Sequence, residues 1–329
     1  MRISRKILPV LAAALLTVSL AACAGSEAAP DNDAGPAEGE LTKVTVLMAP
    51  VHQEPTRIAL ENGFFEKHGL DVTLEVGGSA DAQLPRLIKN EAQFGATGSV
   101  SVISAVSKGL PVKLVLNDVA SVAGPEDGVW VRKDAQVKTM SDLEGKTVAV
   151  NSLGNTNQIQ LMASIQEDGG DVDAVKFIEV EYAAMLKSLE NGTIDAAYFV
   201  MPYPQLAAEN PDLEALEDPN SAIIDGTATL GYASSNEFIE NNPETVKAFQ
   251  DAMAEAIEYS NDNPEAQREM ARKYTKLTSE QIDSLKFDLY SVEVSEKATE
   301  LAIDIMFEFE LIKEKVGIHD VVIDSILIP

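Results

Sequence analysis

At 329 residues the chain is long enough for two domains of ordinary size, and 45% hydrophobic with 24% charged residues is a globular composition. The formal net charge of −28 argues against nucleic acid and anionic lipid surfaces as partners, because both would be repelled. A single cysteine excludes a disulfide within the chain.

Residues 1–22 have the pattern of a secretory signal peptide. Three basic residues precede an apolar run at 7–20, which is too short to span a bilayer. Removing residues 1–22 takes three basic and no acidic residues and so changes the net charge from −28 to −31. The segment ends in Leu-Ala-Ala directly before Cys23, the only cysteine of the chain.

This ending resembles the lipobox of bacterial lipoproteins, which implies that Cys23 carries a lipid after cleavage. An ordinary cleaved signal with an incidental cysteine is the alternative. Residues 23–40 are small, acidic and rich in Pro and Gly, so we expect the lipidated cysteine and a flexible acidic linker there. The expected location is the extracytoplasmic face of the cell membrane, held by the lipid anchor.

From residue 41 strands and helices alternate, which predicts an α/β fold with mostly parallel sheets. A first series of strands is expected near 44–48, 72–76, 93–96 and 111–116. A second series follows near 128–132, 147–150, 176–180 and 194–200. Residues 87–96 and 189–197 resemble each other as a helix end, a tight turn and a short strand, which favours two similar lobes.

We therefore expect the first part of lobe 1 at 41–128, lobe 2 at 129–226, and the return strand with the helical remainder of lobe 1 at 227–329. Strands near 126–132 and 227–234 would join the lobes. Asn-Pro pairs predict helix starts at Pro243 and Pro264. Capping-box spacing occurs at 141–144 and 278–281.

Motifs for catalysis or metal binding are missing from the sequence. The three histidines have no HxxxH spacing and no cysteine pair accompanies them, so we expect no metal and no cofactor. Neither a G-x-S-x-G elbow, nor a P-loop, nor a dinucleotide fingerprint is present, so we expect no catalytic residue.

Small polar residues instead recur where predicted strands lead into helices. Ser79, Thr97 to Ser99, and Asn151 to Thr156 each come at such a junction. Exposed N–H groups at helix starts bind polar or negative groups, and ligands of open α/β sheets lie at this edge. Ser, Thr and Asn are also ordinary N-caps, which is the alternative.

Residues 59–74 predict a helix with Gly63 in its interior, a stop at Gly69 and a following strand. Residues 63–72, Gly-Phe-Phe-Glu-Lys-His-Gly-Leu-Asp-Val, resemble a signature of bacterial solute-binding proteins of nitrate, sulfonate and taurine importers, including binders of thiamine pyrimidine precursors. Residues 83–98, 109–115 and 142–150 agree with that family. We expect Phe64 and Phe65 to be structural, packing the helix on its sheet.

The resemblance implies a two-lobed periplasmic-binding-protein type II fold with hinge strands and a helical C-terminal region. It implies that the chain, as a monomer, captures a small polar organic or oxyanion solute between its lobes and delivers it to the permease of an ABC importer. An enzyme related to pyrimidine-precursor synthesis, and a ligand-sensing surface lipoprotein of the same fold, are the alternatives.

Carried over by position, the resemblance also implies which loops contact the ligand. None of these loops contains lysine or arginine. Asp118, Glu54 and Glu181 favour a ligand with an amine or N–H group. Tyr198, Tyr203 and Tyr232 could stack on a ligand or simply pack in the core. The implied ligand-binding residues are His52, Gln53, Ser79, Thr97, Gly98, Ser99, Asn117, Asp118, Asn151, Gly154, Asn155, Thr156, Met201 and Tyr232.

Overall fold

Two five-stranded mixed sheets form the framework of the protein. The structure, a computed structural model, describes residues 41–49, 54–78, 80–120, 128–200, 202–216, 227–285, 287 and 289–329. In chain order the strands are β1 (Thr42–Met48), β2 (Leu70–Val76), β3 (Phe94–Thr97), β4 (Val112–Ala120), β5 (Gly128–Arg132), β6 (Thr147–Val150), β7 (Lys176–Glu179), β8 (Ala196–Phe199), β9 (Leu213–Ala215), β10 (Ala228–Ser235), β11 (Val294–Ser295) and β12 (Leu327–Ile328).

The helices surround these sheets, and those after β10 form a helical C-terminal region. They are α1 (Glu54–Glu61), α2 (Phe64–Lys67), α3 (Ala80–Ile88), α4 (Ser99–Ser107), α5 (Thr156–Glu167), α6 (Tyr182–Glu190), α7 (Tyr203–Ala208), α8 (Asn236–Asn241), α9 (Pro243–Asp262), α10 (Pro264–Tyr274), α11 (Ser279–Ser284), α12 (Glu296–Glu308) and α13 (Ile318–Val321). No helix in the described ranges is long and apolar enough to cross a membrane.

The two large sheets have the same topology. Their strand orders are β2-β1-β3-β10-β4 and β7-β6-β8-β5-β9. In each sheet the fourth strand runs antiparallel to both neighbours, so the other four strands share one direction. We call the part of the chain around the first sheet the first lobe and the part around the second sheet, residues 128–216, the second lobe.

The internal resemblance predicted from the sequence has a structural counterpart at the start of β3 and β8. The N–H of Thr45 donates to the Gln93 side chain at 2.8 Å, and the N–H of Thr147 donates to the Asp195 carboxylate at 2.8 Å. In return, the N–H groups of Gln93 and Asp195 donate to the carbonyls of Thr45 and Thr147. The same reciprocal pair of hydrogen bonds therefore joins equivalent strands in both lobes.

The helical run at the start of the first lobe is broken, contrary to the sequence prediction of one helix with Gly63 inside it. Gly63 has φ 73°, a left-handed conformation that ends α1 and starts α2. Phe65 packs, as expected, in the buried core with Val44 and Val46 of β1 and Val72 of β2. Its ring stacks on Phe249 of α9 at 5.9 Å, and Phe249 stacks on Phe94 of β3 at 4.0 Å.

Helix starts in the C-terminal region follow the sequence signals. Helices α9 and α10 begin with Pro at the first position, and Thr278 with Gln281 forms a complete capping box. The box predicted at Ser141 is wrong, because that turn has no side-chain cap and Glu144 instead accepts a hydrogen bond from the N–H of Asp171 at 2.7 Å.

The joining strands do not cross between the sheets within the described residues. Strand β5 belongs wholly to the second sheet and β10 wholly to the first. The segments that connect the lobes, 121–127 and 217–226, lie outside the described residues. The hinge predicted at the strands near 126–132 and 227–234, and the lobe boundaries near 128 and 226, therefore stay predictions.

Candidate functional site

The N-termini of two helices, one from each lobe, meet at one point. Helix α4 begins after Gly98 at the carboxyl end of β3, and α5 begins at Thr156 shortly after β6. A β-carbon on Gly98 would stand 2.9 Å from the Thr156 hydroxyl and 2.6 Å from the carbonyl oxygen of Thr229. Only a residue without a side chain allows this approach.

Helix α4 has no side-chain cap, because glycine occupies its N-cap position. Its first N–H groups therefore lack the partner that a Ser, Thr or Asn side chain provides at most helix starts. Helix α5 is capped differently, since the Asn155 side chain accepts from the N–H of Gln158 at 3.0 Å. The pair of positive helix ends favours a negatively charged group between them.

Buried hydroxyl and amide oxygens surround the start of α4. Thr97, Gly231 and Asn117 are neighbours across three strands of the first sheet. The Oγ1 atoms of Thr97, Thr227 and Thr229 and the Oδ1 atom of Asn117 have no hydrogen-bond partner among the residues that the structure describes. Buried polar atoms are normally paired, so this concentration marks a place where a polar ligand can supply the missing bonds.

Thr227 and Thr229 are not among the ligand-binding residues predicted from the sequence. Strand β10 runs antiparallel to β3, so its beginning lies at the edge where β3 ends. The N–H of Ala228 donates to the Ser99 hydroxyl at 3.0 Å and holds this beginning against α4. If the return strand had been predicted to run antiparallel, these threonines could have been selected from the sequence. The N-terminal end of such a strand lies at the edge of the sheet where ligands bind.

On the second-lobe side, an asparagine cluster supports the start of α5. Asn151 Oδ1 accepts from Asn155 Nδ2 at 2.8 Å and lies 3.4 Å from Asn157 Nδ2. Asn157, which the sequence analysis also missed, donates onward to the Tyr182 hydroxyl at 3.4 Å. The N–H of Gly154 is held by the Gln158 side chain at 2.5 Å.

Aromatic rings lie beside this cluster. Tyr182 stacks on Tyr203 with centroids 5.1 Å apart, and Phe199 lies 6.1 Å from Tyr203. A tyrosine hydroxyl is ordinarily protonated at neutral pH, and burial, with the Glu181 carboxylate as the smaller cause, raises the pKa of Tyr203 further. Tyr203 can therefore donate a hydrogen bond.

Asn117 and Asp118, two of the predicted ligand-binding residues, are buried in the first sheet. The sequence predicts that the strand ends near residue 116, but β4 continues to Ala120. Asn117 and Asp118 therefore lie inside β4, and their side chains are fully buried. Asn117 Nδ2 donates to the carbonyl of Glu293 at 2.8 Å, which ties the C-terminal region to the sheet. Neither Asn117 nor Asp118 has surface exposed to solvent in this structure.

The position of Tyr232 does not support its predicted contact with a ligand. Its side chain is fully buried in the first-lobe core, where the ring meets Phe249 edge-on at 5.4 Å. Its hydroxyl lies 2.7 Å from the Thr56 hydroxyl. A ring covered in this way has no surface for stacking on a solute.

Several predicted residues lie outside the described residues, namely His52, Gln53, Ser79, Met201 and the lipidation site Cys23. Within the part of the chain that the structure describes, no group of three or more His, Cys, Asp or Glu side chains is placed to hold a metal ion.

Known proteins are similar to this chain in sequence or in fold. The taurine-binding periplasmic protein of Escherichia coli is 26% identical over 242 residues, 73% of each chain. The formylaminopyrimidine-binding protein of Halalkalibacterium halodurans is 27% identical over 218 residues, 63% of this chain and 62% of that one. The periplasmic aliphatic sulphonate-binding protein SsuA of Escherichia coli superimposes with a TM-score of 0.71 at 17% identity, covering 85% of this chain and 91% of that one.

The family described as NMT1/THI5 like matches residues 52–267, about two thirds of the chain. The relatives just described are named as binding proteins, and the superposition on SsuA shows that the chain shares its fold. The chain therefore belongs to the NMT1/THI5-like family and has the fold of the periplasmic solute-binding proteins.

Proposed function

We propose that the protein is the extracytoplasmic solute-binding component of an ABC importer and captures a small polar solute between its lobes. The observation that carries the proposal is the meeting of the α4 and α5 N-termini, with unpaired hydroxyl and amide oxygens around them. Contacts from both lobes to one solute would favour a closed state, which a permease can recognise.

The expected ligand has a compact negative group, such as a sulfonate. The uncapped N-terminus of α4 and the neighbouring hydroxyls can donate hydrogen bonds to such a group without any basic side chain. Similarity to binders of taurine and aliphatic sulphonate supports this class. A nitrate ion fits the same donors.

A pyrimidine precursor is the second candidate. The stacked rings of Tyr182 and Tyr203 beside the asparagine cluster favour a planar ligand with N–H and acceptor groups. Similarity to a formylaminopyrimidine-binding protein supports this class as well.

The remaining parts of the proposal come from the sequence. Cys23 would hold the protein on the outer face of the membrane through lipid, with residues 24–40 as the tether. The protein would act as a monomer, without cofactor and without catalysis. An enzyme related to pyrimidine-precursor synthesis and a ligand-sensing surface lipoprotein of the same fold stay the alternatives.

A thermal-shift panel tests the proposal. Protein lacking residues 1–23 is heated with taurine, short alkanesulfonates, nitrate or aminopyrimidines. A bound ligand at ~100 times its dissociation constant adds about 2.7 kcal/mol to the free energy of unfolding and raises the melting midpoint. Stabilisation by a sulfonate or nitrate supports the first class, and stabilisation by aminopyrimidines alone supports the second. No stabilisation by any of them would contradict the proposed function.

A further inference from the structure

Helix α5 belongs to the second lobe by sequence, since it connects β6 to β7. One stripe of the helix nevertheless faces the first lobe. Thr156, Ile159, Ala163 and Gln166 are spaced by three, four and three residues, so they lie on one face. All ten residues from Thr156 to Ile165 are buried, which shows that the helix is covered on more than one side.

Contacts along this stripe reach the first lobe at three levels. Thr156 lies against Gly98 at the start of α4. Ile159 and Ala163 are part of the first-lobe core, together with residues of α4 and α12. At the far end, Gln166 Nε2 donates to Glu308 Oε1 of α12 at 3.1 Å.

The opposite stripe of the same helix packs on the second lobe. Leu161 and Ile165 are fully buried in the second-lobe core with Val148 and Ala149 of β6. Helix α5 is therefore shared by two cores, and moving it away from either one would expose apolar side chains to water.

We propose that Ile159 and Ala163 are positioning residues, which hold the N-terminus of α5 opposite that of α4 before any ligand arrives. Ile159 lies about one helical turn from Thr156, so its packing fixes the position of the α5 N-terminus and the direction of the helix axis there. Loss of this packing frees the second lobe to rotate away, and the two helix ends separate. The expected separation of the two lobes does not depend on the proposed function. Only the expected loss of ligand affinity rests on the proposed function.

The test uses the chain without residues 1–23, which contains no cysteine. Lys89→Cys in the first lobe and Lys187→Cys in the second replace exposed side chains and receive spin labels. Pulsed electron paramagnetic resonance then gives the distance between the labels without ligand. Ile159→Ala is compared with Ile165→Ala, which removes the same group from the same helix at the same full burial but from the second-lobe core.

Both variants should lower the melting midpoint, whereas only Ile159→Ala should lengthen and broaden the distance distribution. With taurine as the probe, Ile159→Ala should weaken binding by about tenfold, and Ile165→Ala should leave it near the parent value. An unchanged distribution in Ile159→Ala, or equal changes in both variants, would overturn the inference. If the parent protein does not bind taurine, the distances still decide the inference, and the failure concerns the proposed ligand.

Discussion

The hydroxyl of Thr156 lies 2.9 Å from the point where a β-carbon on Gly98 would stand. This contact joins the first turn of α5 to the first turn of α4 and so brings together the two lobes where the unpaired polar atoms are concentrated. Because Gly98 has φ −106°, its backbone suits any residue, and only the space forbids a side chain.

Gly98→Ala should therefore weaken ligand binding through steric conflict alone. The added methyl group would meet Thr229, Thr156 and Ala228, and overpacking of this kind costs about 1–3 kcal/mol. Titration calorimetry should show an affinity reduced by about tenfold or more. Gly317→Ala is the control, because Gly317 is also the N-cap of a helix but its nearest neighbour is the movable Asp320 carboxylate. Equal affinity in both variants would remove Gly98 from the site.

Asn151→Asp should distinguish an anionic from a cationic ligand. The carboxylate can still accept from Asn155 and Asn157, so the cluster keeps its shape. The new charge near the start of α5 should stabilise that helix by about 0.3–1 kcal/mol. It should also repel an anionic ligand and lower its affinity about tenfold. Asn62→Asp, in the exposed turn after α1, adds the same charge elsewhere. Tighter binding in Asn151→Asp would indicate a cationic ligand.

Phe249 holds the first-lobe core together. Its fully buried ring lies against Phe65, Phe94 and Tyr232. Phe249→Ala should lower the free energy of unfolding by about 3–5 kcal/mol, as deletion of a buried aromatic ring does. Denaturant unfolding measures this loss, and Phe307→Ala at an exposed position should cost far less. A small loss at Phe249 would mean that the stack is not formed in solution.

Acid should weaken the contact between α1 and α10. The hydrogen bonds from Lys273 and Tyr274 lower the pKa of Glu61 below its usual 4.5. A carboxyl with a lowered folded-state pKa stabilises the fold above its ordinary pKa and loses that effect as the pH falls through the folded value. Because this pair is largely at the surface, Glu61→Gln should cost about 0.5 kcal/mol at neutral pH.

The cost of Glu61→Gln should fade as the pH falls below about 4.5, where the carboxyl of the unfolded chain becomes protonated, and should vanish below the lower pKa of the folded state. Urea unfolding at pH 7 and at pH 3 measures the difference. Glu66→Gln, at an exposed position on α2, is the reference. A cost for Glu61→Gln that does not depend on pH would mean that its charge is not what stabilises this contact.

Cys23→Ala should release the protein from the membrane if the lipobox resemblance holds. Cell fractionation should then find the variant in the soluble extracytoplasmic fraction, whereas the parent stays with the membrane. Ser26→Ala, three residues away in the linker, should not change the distribution. Retention of Cys23→Ala on the membrane would show that another feature attaches the chain.

Much of the fold could be predicted because local signals and tertiary contacts agree. The internal resemblance found in the sequence corresponds to two reciprocal pairs of hydrogen bonds, Thr45 with Gln93 and Thr147 with Asp195, at equivalent places in the two sheets. The Asn-Pro pairs likewise start helices, since proline suits the first helical position in any context.

Other features could not be read locally because they depend on distant partners. The sequence alone does not show that Tyr232 of β10 is covered by Phe249, which lies 17 positions further on in α9. Thr227 and Thr229 matter only because β10 runs antiparallel and places them beside α4. The double packing of α5 was equally hidden, because both of its stripes are apolar and periodicity does not say which core each one meets.

We propose that one solute binds between the starts of α4 and α5. Amide chemical shifts measured during a titration test this directly, because they report which backbone N–H groups the solute affects. The ligand is the solute that stabilises the protein most in the thermal-shift panel, and the protein lacks residues 1–23. We expect the largest shifts on the first turns of α4 and α5, at Ser99 to Ser101 and Thr156 to Gln158. Shifts confined to one lobe, or to the helices of the C-terminal region, would contradict it.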